Sequence, residues 1–496
     1  MKNKSLVVLA LLFAVLLGSC GQKGNQTFET NSAEEPKQSE TTTKAEDKTS
    51  DTRVTEVTTD AKEEKPIPMI DIENSNAKNK YFVGVTDKDA VSYAIGEDIC
   101  FTVRLLADKE AAFCPKFKYI LTADDGRVPE EGMVDGKAGT ISVKTKMTVP
   151  GFVYLRVYAC DQNGTAINGV DSFNGGAGAD VLNIRKMKEE PADFDVFWEK
   201  QLKTLEGVSP DLLEAREVNS PNPNFTVYAV KIRFCESNTW GDYVSGYLSL
   251  PKNSAPGSLS LHLYYNGAGV TELTKYCNDG LATLNVAAHS MELGQDRSYY
   301  VELSQGKLKD YAFNPQYNSS AETVYFREML LRDVQAMRFM KRYFGSDGPD
   351  SRFRGLWDDV LKKQITLSGG SQGGFQCAAV SVLEPGVSWM NIYAPWLCDI
   401  GGYGVNGRQE SVYMPAWTEA MEYYDSINFA KRIPCATYIR TVGLGDYTAN
   451  PAGVTAFFNN MNPKVNREIS YVQNRTHSYN PIDADQYVLK GKVNKS

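Results

Sequence analysis

Ser371 stands in the stretch ITLSGGSQGGFQ, residues 365–376, where an apolar strand-like run ends in Gly369-Gly370-Ser371-Gln372-Gly373 and a helix-like segment begins at once. A serine held on such a turn can act as a nucleophile. Flanking glycines let a strained backbone fit close to neighbouring chain, and the helix N-terminus favours developing negative charge. The pattern G-x-S-x-G is short enough to arise by chance, so its partners decide. A serine at its free pKa needs a base. The chain has three histidines, His262, His289 and His477. In the order nucleophile, acid, base that goes with this turn, only His477 qualifies, in RTHSYNP just beyond the strand-like REISYVQN. A lone late histidine is ordinarily a surface residue; elimination favours the base. The acid must orient the imidazole and should lie on a loop after a strand. ATYIRTVGLGDYTANP places Asp446 there; Asp399, in NIYAPWLCDI, is the runner-up, and Asp425 is set aside because its surroundings read as helical. Two backbone N–H groups must face the oxyanion. The first is that of Gln372 and the second comes from YYNGAG, with Ala268 the candidate.

These residues need a scaffold. From about Pro191, strands and helices alternate over some 300 residues: VSGYLSLP, LSLHLYYNG and LATLNVAAH as strands, ETVYFREMLLRDVQAMRFMKRYFG as a long helix, then SWMNIYAPW, ATYIRTVG and the helix PAGVTAFFNNM. PADFDVFWEKQLKTLEG opens this region as an amphipathic helix with Pro at its start. Such alternation predicts an α/β fold, a mostly parallel sheet covered by helices, over 191–496. Before it, residues 76–185 show short strand-like runs (DICFTVRLL, FKYILTADD, TISVKTKMTV, GFVYLRVYACD) broken by turn residues, which predicts an all-β sandwich-like domain. GGAGADVLN, residues 175–183, fits one unit of a calcium-binding nonapeptide repeat; such sites are built from stacked copies, and a single copy reads as a loop. GYGVNG, residues 402–407, matches G-x-G-x-x-G but has no strand–helix context and also reads as a loop.

The chain has 496 residues, 42 % hydrophobic, with a formal net charge of −8. No basic stripe stands out to neutralise phosphates, which argues against nucleic acid as a partner. Lys2 and Lys4 precede an apolar run from Leu6 to Leu17, too short to span a bilayer and typical of a secretory signal. Leu17-Gly18-Ser19-Cys20 resembles a bacterial lipobox, which predicts a signal peptide over 1–20 and a lipid on Cys20; the plainer alternative is an ordinary signal with a cysteine nearby. With no Asp after Cys20, the resemblance to Gram-negative lipoproteins implies the outer membrane. Residues 21–66 are almost all polar and cannot offset their conformational entropy by burial; they read as a disordered tether. Eight further cysteines show no C-x-x-C spacing, and few disulfides are expected, one of them in the N-terminal region.

The Ser371-Gln372-Gly373-Gly374 turn, Asp446 and His477 together resemble carbohydrate esterase family seven, the acetyl xylan esterase and cephalosporin C deacetylase family of the α/β-hydrolase superfamily. DFDVFWEKQLKTL, SGYLSLPKN, GGSQGGFQ, APWLCDI and GLGDYTANPAG are its landmarks, from about Ala192 onward. Peptidases of the prolyl oligopeptidase type usually have Tyr after the serine, so Gln372 sharpens the match. The resemblance implies a triad of Ser371, Asp446 and His477, oxyanion donors at Gln372 and Ala268, and removal of O-acetyl groups from an acetylated oligo- or polysaccharide without metal or cofactor. Tyr265 and Trp396 are candidates to pack on the sugar, though core burial explains them equally well. Two departures stand out. The family's Arg-Gly-Gln element is Leu293-Gly294-Gln295 here, and its terminal His-Glu pair is His477-Ser478. Two other readings stay open: deacylation of a peptide, lipid or drug ester, and a glycan-binding surface lipoprotein with a decayed site. The sandwich and tether lie outside the resemblance and could block the family's homo-oligomeric assembly, so the oligomeric state is left open.

Overall fold

The computed structural model describes residues 56–58, 81–106, 114–235, 240–358, 363–404, 408, 409, 411, 413–477, 481 and 486–490. The expected signal peptide, Cys20 and nearly all of the expected tether lie outside these residues. Within the tether range, Glu56–Thr58 forms strand β1 and pairs antiparallel with Ser142, Val143 and Lys144. Val57 and Thr58 are β-branched, residue types that suit a strand.

Two four-stranded antiparallel sheets follow. One has the order β1-β6-β3-β2, with β2 at Phe82–Thr86, β3 at Asp98–Leu105 and β6 at Thr140–Lys146. The other runs β5-β4-β7-β8, with β4 at Lys116–Ala123, β5 at Glu130–Asp135, β7 at Gly151–Cys160 and β8 at Phe173–Ala179. The period-2 alternation of strands buries Ile99, Phe101, Val103 and Leu105 of β3 and Phe117 and Leu121 of β4. GGAGADVLN departs from its expected loop, because Gly175–Ala179 is the inner part of β8. Glycines weaken a strand in isolation; here a close neighbour requires them. A Cβ on Gly176 would lie 2.7 Å from the Leu444 carbonyl oxygen, and one on Gly175 would lie 2.3 Å from Gln473 Oε1.

The second region is built on a ten-stranded sheet of order β18-β17-β16-β15-β14-β12-β13-β11-β10-β9. Its strands are β9 Leu212–Val218, β10 Phe225–Arg233, β11 Tyr243–Pro251, β12 Ser260–Tyr265, β13 Leu281–Val286, β14 Ile365–Gly370, β15 Trp389–Tyr393, β16 Ala436–Gly443, β17 Arg467–Val472 and β18 Gln486–Lys490. The centre, from β13 through β17, is parallel, and β9–β11 and β18 run antiparallel at the two edges. Helices α1 Phe194–Lys203, α2 Arg297–Gln305, α3 Tyr325–Phe344, α4 Gln372–Leu383, α5 Ser426–Ala430 and α6 Pro451–Asn460 connect the strands and cover them. This is the α/β-hydrolase architecture. Helix α1 begins at Phe194, with the Asp193 carbonyl accepting from Phe197, so Pro191 precedes the helix instead of opening it. Helix α6 does open on Pro451, capped by the Asn450 side chain, which accepts from the Ala452 N–H at 2.9 Å.

The two regions share one apolar core. It runs from Phe82 and Phe117 through Phe152, whose ring lies 5.9 Å from that of Tyr471, to Leu367 and Ile439 between the hydrolase strands. The described residues pack as one compact unit. The expected bridge in the N-terminal region does not form: Cys100 is a free thiol, as are Cys114 and Cys160. The last two are buried, where a thiol serves as a small hydrophobe, and burial pushes the Cys114 thiol up to about 11.

Candidate active site

Ser371 ends β14 and precedes α4 with φ 54° and ψ −120°, a conformation few non-glycine residues adopt. Strain of this kind persists only where surrounding structure holds it. Here the Ser371 N–H donates to Tyr393 O at 2.9 Å, and its carbonyl accepts from Gly374 at 2.9 Å and from Trp396 at 3.0 Å. The glycines are needed for close approach: a Cβ on Gly373 would sit 2.1 Å from the Tyr265 carbonyl oxygen. The serine therefore stands on rigid elements.

Asp446 lies in the loop between β16 and α6, and His477 in the segment after β17. The structure brings both to Ser371. His477 Nε2 is 3.0 Å from Ser371 Oγ, and His477 Nδ1 is 2.8 Å from Asp446 Oδ2. With Nδ1–H donating to the carboxylate, Nε2 is free to accept the serine proton. Asp446 is 1 % exposed, and its other oxygen accepts from the N–H groups of Thr448 (2.8 Å) and Ala449 (2.9 Å). The carboxylate is thus fixed in place. Burial disfavours the imidazolium of His477, but the Asp446 charge and hydrogen bond outweigh it, and the pKa is held above the ordinary histidine value; Arg475 opposes that rise.

The other acids and histidines are engaged elsewhere. Asp399 pairs with Arg408 and accepts from the Met187 N–H. Asp425 caps α5 and accepts from Asp399, Ile400 and Ile427 backbone N–H groups. His262 sits between Thr366 (2.7 Å) and Ser368 (2.9 Å), and burial lowers its pKa to about 4. His289 is buried, lowered to about 3 chiefly by that burial, and hydrogen-bonds Tyr325 and, at 3.2 Å, the Gly269 carbonyl. Both are neutral framework groups.

Gln372 is the first residue of α4, so its N–H has no acceptor within the helix. Ala268 is in the loop after β12, beside Gly267, where a Cβ would come 3.4 Å from Gly370 O. That loop therefore lies against the nucleophile turn. Its backbone is held by His289, and the Gln372 side chain accepts from Tyr311 at 2.9 Å. Sequence reasoning missed Tyr311 and the His289 contact, and no local pattern links residues this far apart.

Tyr265 and Trp396 do not fit a sugar-packing role. Tyr265 is wholly buried and donates to the Asp333 carbonyl, and Trp396 is 1 % exposed and donates to Tyr413 O. Neither offers a ring face to solvent. The ring outside Trp396 is Tyr413, 42 % exposed, stacked on it at 5.7 Å and 4.7 Å from Phe313. Its place near the site follows from the Trp396 N–H on the Ser371 carbonyl. Of GYGVNG, Gly402 closes a short 3₁₀ turn and residues 405–407 lie outside the described residues. Among the described residues no group of three or more His, Cys, Asp or Glu side chains could hold a metal ion.

Residues 179–403 match the family model for acetyl xylan esterase (AXE1). This stretch is similar to acetyl xylan esterases. It contains the Ser371 turn and the Ala268 loop, while Asp446 and His477 lie beyond it and rest on their geometry. The acetyl esterase Axe7A of Xylanibacter ruminicola is 24 % identical over 323 residues, 62 % of this chain and 66 % of that protein. The match thus spans just under two thirds of the relative's length. Solved structures include acetyl xylan esterase 1 from a Thermoanaerobacterium species (19 % identity, TM-score 0.45, 61 % of this chain and 92 % of that one). Another is an acetyl xylan esterase from a Paenibacillus species (20 % identity, TM-score 0.45, 60 % and 93 %).

Proposed function

We propose that the protein is a serine carboxylesterase that removes O-acetyl groups from carbohydrates. The observation that carries this is the unbroken hydrogen-bond relay from Ser371 through His477 to Asp446, set in a chain whose nucleophile turn matches acetyl xylan esterases. Ser371 Oγ attacks the acetyl carbonyl while His477 Nε2 takes its proton. The oxyanion rests on the N–H groups of Gln372 and Ala268, where donors aimed at developing charge act most strongly. Collapse returns the proton to the departing sugar hydroxyl and leaves an acetyl ester on Ser371. Water, deprotonated by His477, then attacks that ester, and acetate and free serine result. Each step uses only groups of this chain and water. Tyr413 is the proposed ring surface for the sugar, in place of Tyr265 and Trp396.

The same reading assigns a lipid to Cys20 after removal of residues 1–20, with the enzyme anchored by it in the outer membrane of a Gram-negative bacterium. Its support is Lys2, Lys4, the apolar run and Leu17-Gly18-Ser19-Cys20. No helix among the described residues is long and apolar enough to cross a membrane.

The test is acetate release from acetylated xylo-oligosaccharides and from an aryl acetate by the chain lacking residues 1–20. Cleavage of both supports the reading. Cleavage of the aryl ester alone removes carbohydrate from it, and cleavage of neither by folded protein overturns it. Radiolabelled palmitate should enter the full-length chain expressed in a Gram-negative host and be absent from Cys20→Ala; equal labelling of the two would overturn the anchor.

A further inference from the structure

Strand β8 is the edge of its sheet in the sandwich, yet every residue of FNGGAGA is buried. Ala90 and Tyr93 accept from the N–H groups of Gly178 and Asp180 at its far end, and the segment leading to His477 covers the rest. The Gly176 N–H donates to Gln473 Oε1 at 3.0 Å, and Gln473 Nε2 donates back to Gly176 O at 2.9 Å. One side-chain amide thus closes the strand edge as a neighbouring strand would. Asn474 extends the clamp to both sheets: its Oδ1 accepts from the Asn174 N–H at 3.1 Å, and its Nδ2 donates to Phe82 O at 2.9 Å. Its φ of 53° is one that asparagine tolerates better than most residues.

The loop of Asp446 is gripped by the same strand. A Cβ on Gly445 would lie 2.2 Å from Asn174 O, and one on Gly176 would lie 2.7 Å from Leu444 O. The two loops also bond to each other, Gly445 N–H to Arg475 O at 3.0 Å. On the far side of Asp446, the Arg156 guanidinium of β7 lies 4.4 Å over the Tyr447 ring, and Tyr154 OH donates to Asn450 at 2.9 Å. Contacts from the sandwich therefore flank both partners of Ser371 within four residues.

We propose that the sandwich is a working part of the active site: β8 holds the Asp446 and His477 loops in register, and Gln473 is the positioning residue that links them. The inference rests on the serine-esterase reading, since it is the Ser371–His477–Asp446 alignment that the strand would maintain. A shift of about 1 Å in such a relay can cost on the order of 10²-fold in rate. None of the clamp bonds named above reaches the oxyanion donors or Tyr413, so loss of the clamp should fall on kcat and not on KM.

The experiment measures kcat, KM and melting temperature on an aryl acetate for the chain lacking residues 1–20 and for three variants. Gly176→Ala pushes on the Asp446 loop, and Gln473→Met keeps the length of the side chain without its hydrogen bonds. Gly136→Ala is the control, because its Cβ would lie 2.6 Å from Cys114 O, just after β5 at the edge of the sheet opposite β8. The expected result is about 10²-fold lower kcat for the first two with KM nearly unchanged, and a lowered melting temperature but parental kcat for the control. Parental kcat in Gln473→Met, or an equal loss of kcat in Gly136→Ala, would overturn the proposal; should Gly176→Ala not fold, Gln473→Met decides. A parent that cleaves nothing would fail the esterase reading itself, a different outcome from a parent that cleaves and variants that do so equally well.

Discussion

Ser371, the proposed nucleophile, and its partners Asp446 and His477 are held in place by different means. Ser371 is fixed by neighbours in the hydrolase sheet: its own glycines, the Tyr265 carbonyl, and backbone bonds to Tyr393 and Trp396. Asp446 and His477 ride on loops whose outer sides rest on a strand some 300 residues earlier in the chain. The first arrangement is local and written in one short motif. The second depends on two regions that must fold against each other before the triad is complete. A catalytic turn can thus be intact while the relay is not, and the two failures should be separable by experiment.

The sharpest break falls on the local side. Ser371→Ala should lower turnover by about 10⁶-fold, as removal of the nucleophile does in serine hydrolases, with an unchanged melting curve; steady-state acetate release checks it. Next comes the loop side. Asp446→Asn keeps the shape but presents the wrong tautomer of His477, and should cost about 10⁴-fold in kcat. The pH profile sharpens this. His477 must be neutral to act as base, and Asp446 holds its pKa above the ordinary histidine value. The parent's kcat/KM should therefore rise with pH through a pKa above that value and level off. In Asp446→Asn, which lacks the carboxylate charge, the acid limb should move to lower pH. A limb that stays put would detach the two residues from each other. The smallest effect belongs to Tyr413→Ala, which should raise KM for acetylated xylo-oligosaccharides a few-fold, about what one lost stacking contact is worth, and leave an aryl acetate almost unaffected.

The same division explains what could be read from the sequence. The Ser371 turn, the strands around it and the chain order that singles out His477 depend on spacing alone, and the folded chain places them together. Strand β8 escaped because its glycines argue against a strand when taken alone; the reason for them, Leu444 and Gln473 pressing on the backbone, lies far along the chain. Strands β9 and β10 and helix α2 were not anticipated either. Strand β9, at the edge of the sheet, carries the weakly apolar LLEAREV and has little inward periodicity to see. Tyr265 and Trp396 show the converse error. Their positions next to functional loops were apparent, but a sequence does not say which face of an aromatic is covered, and in both cases the core covers it. Tyr413, the exposed ring of the Trp396 stack, has no motif to announce it.

The most direct measurement is covalent capture of the nucleophile. The chain lacking residues 1–20 is treated with a fluorophosphonate, its intact mass is followed against acetate release, and the modified residue is mapped by peptide mass spectrometry. The account predicts one adduct per chain, on Ser371, forming in step with loss of esterase activity and absent from Ser371→Ala. An adduct on another serine, or full activity remaining in chains modified at Ser371, would contradict it.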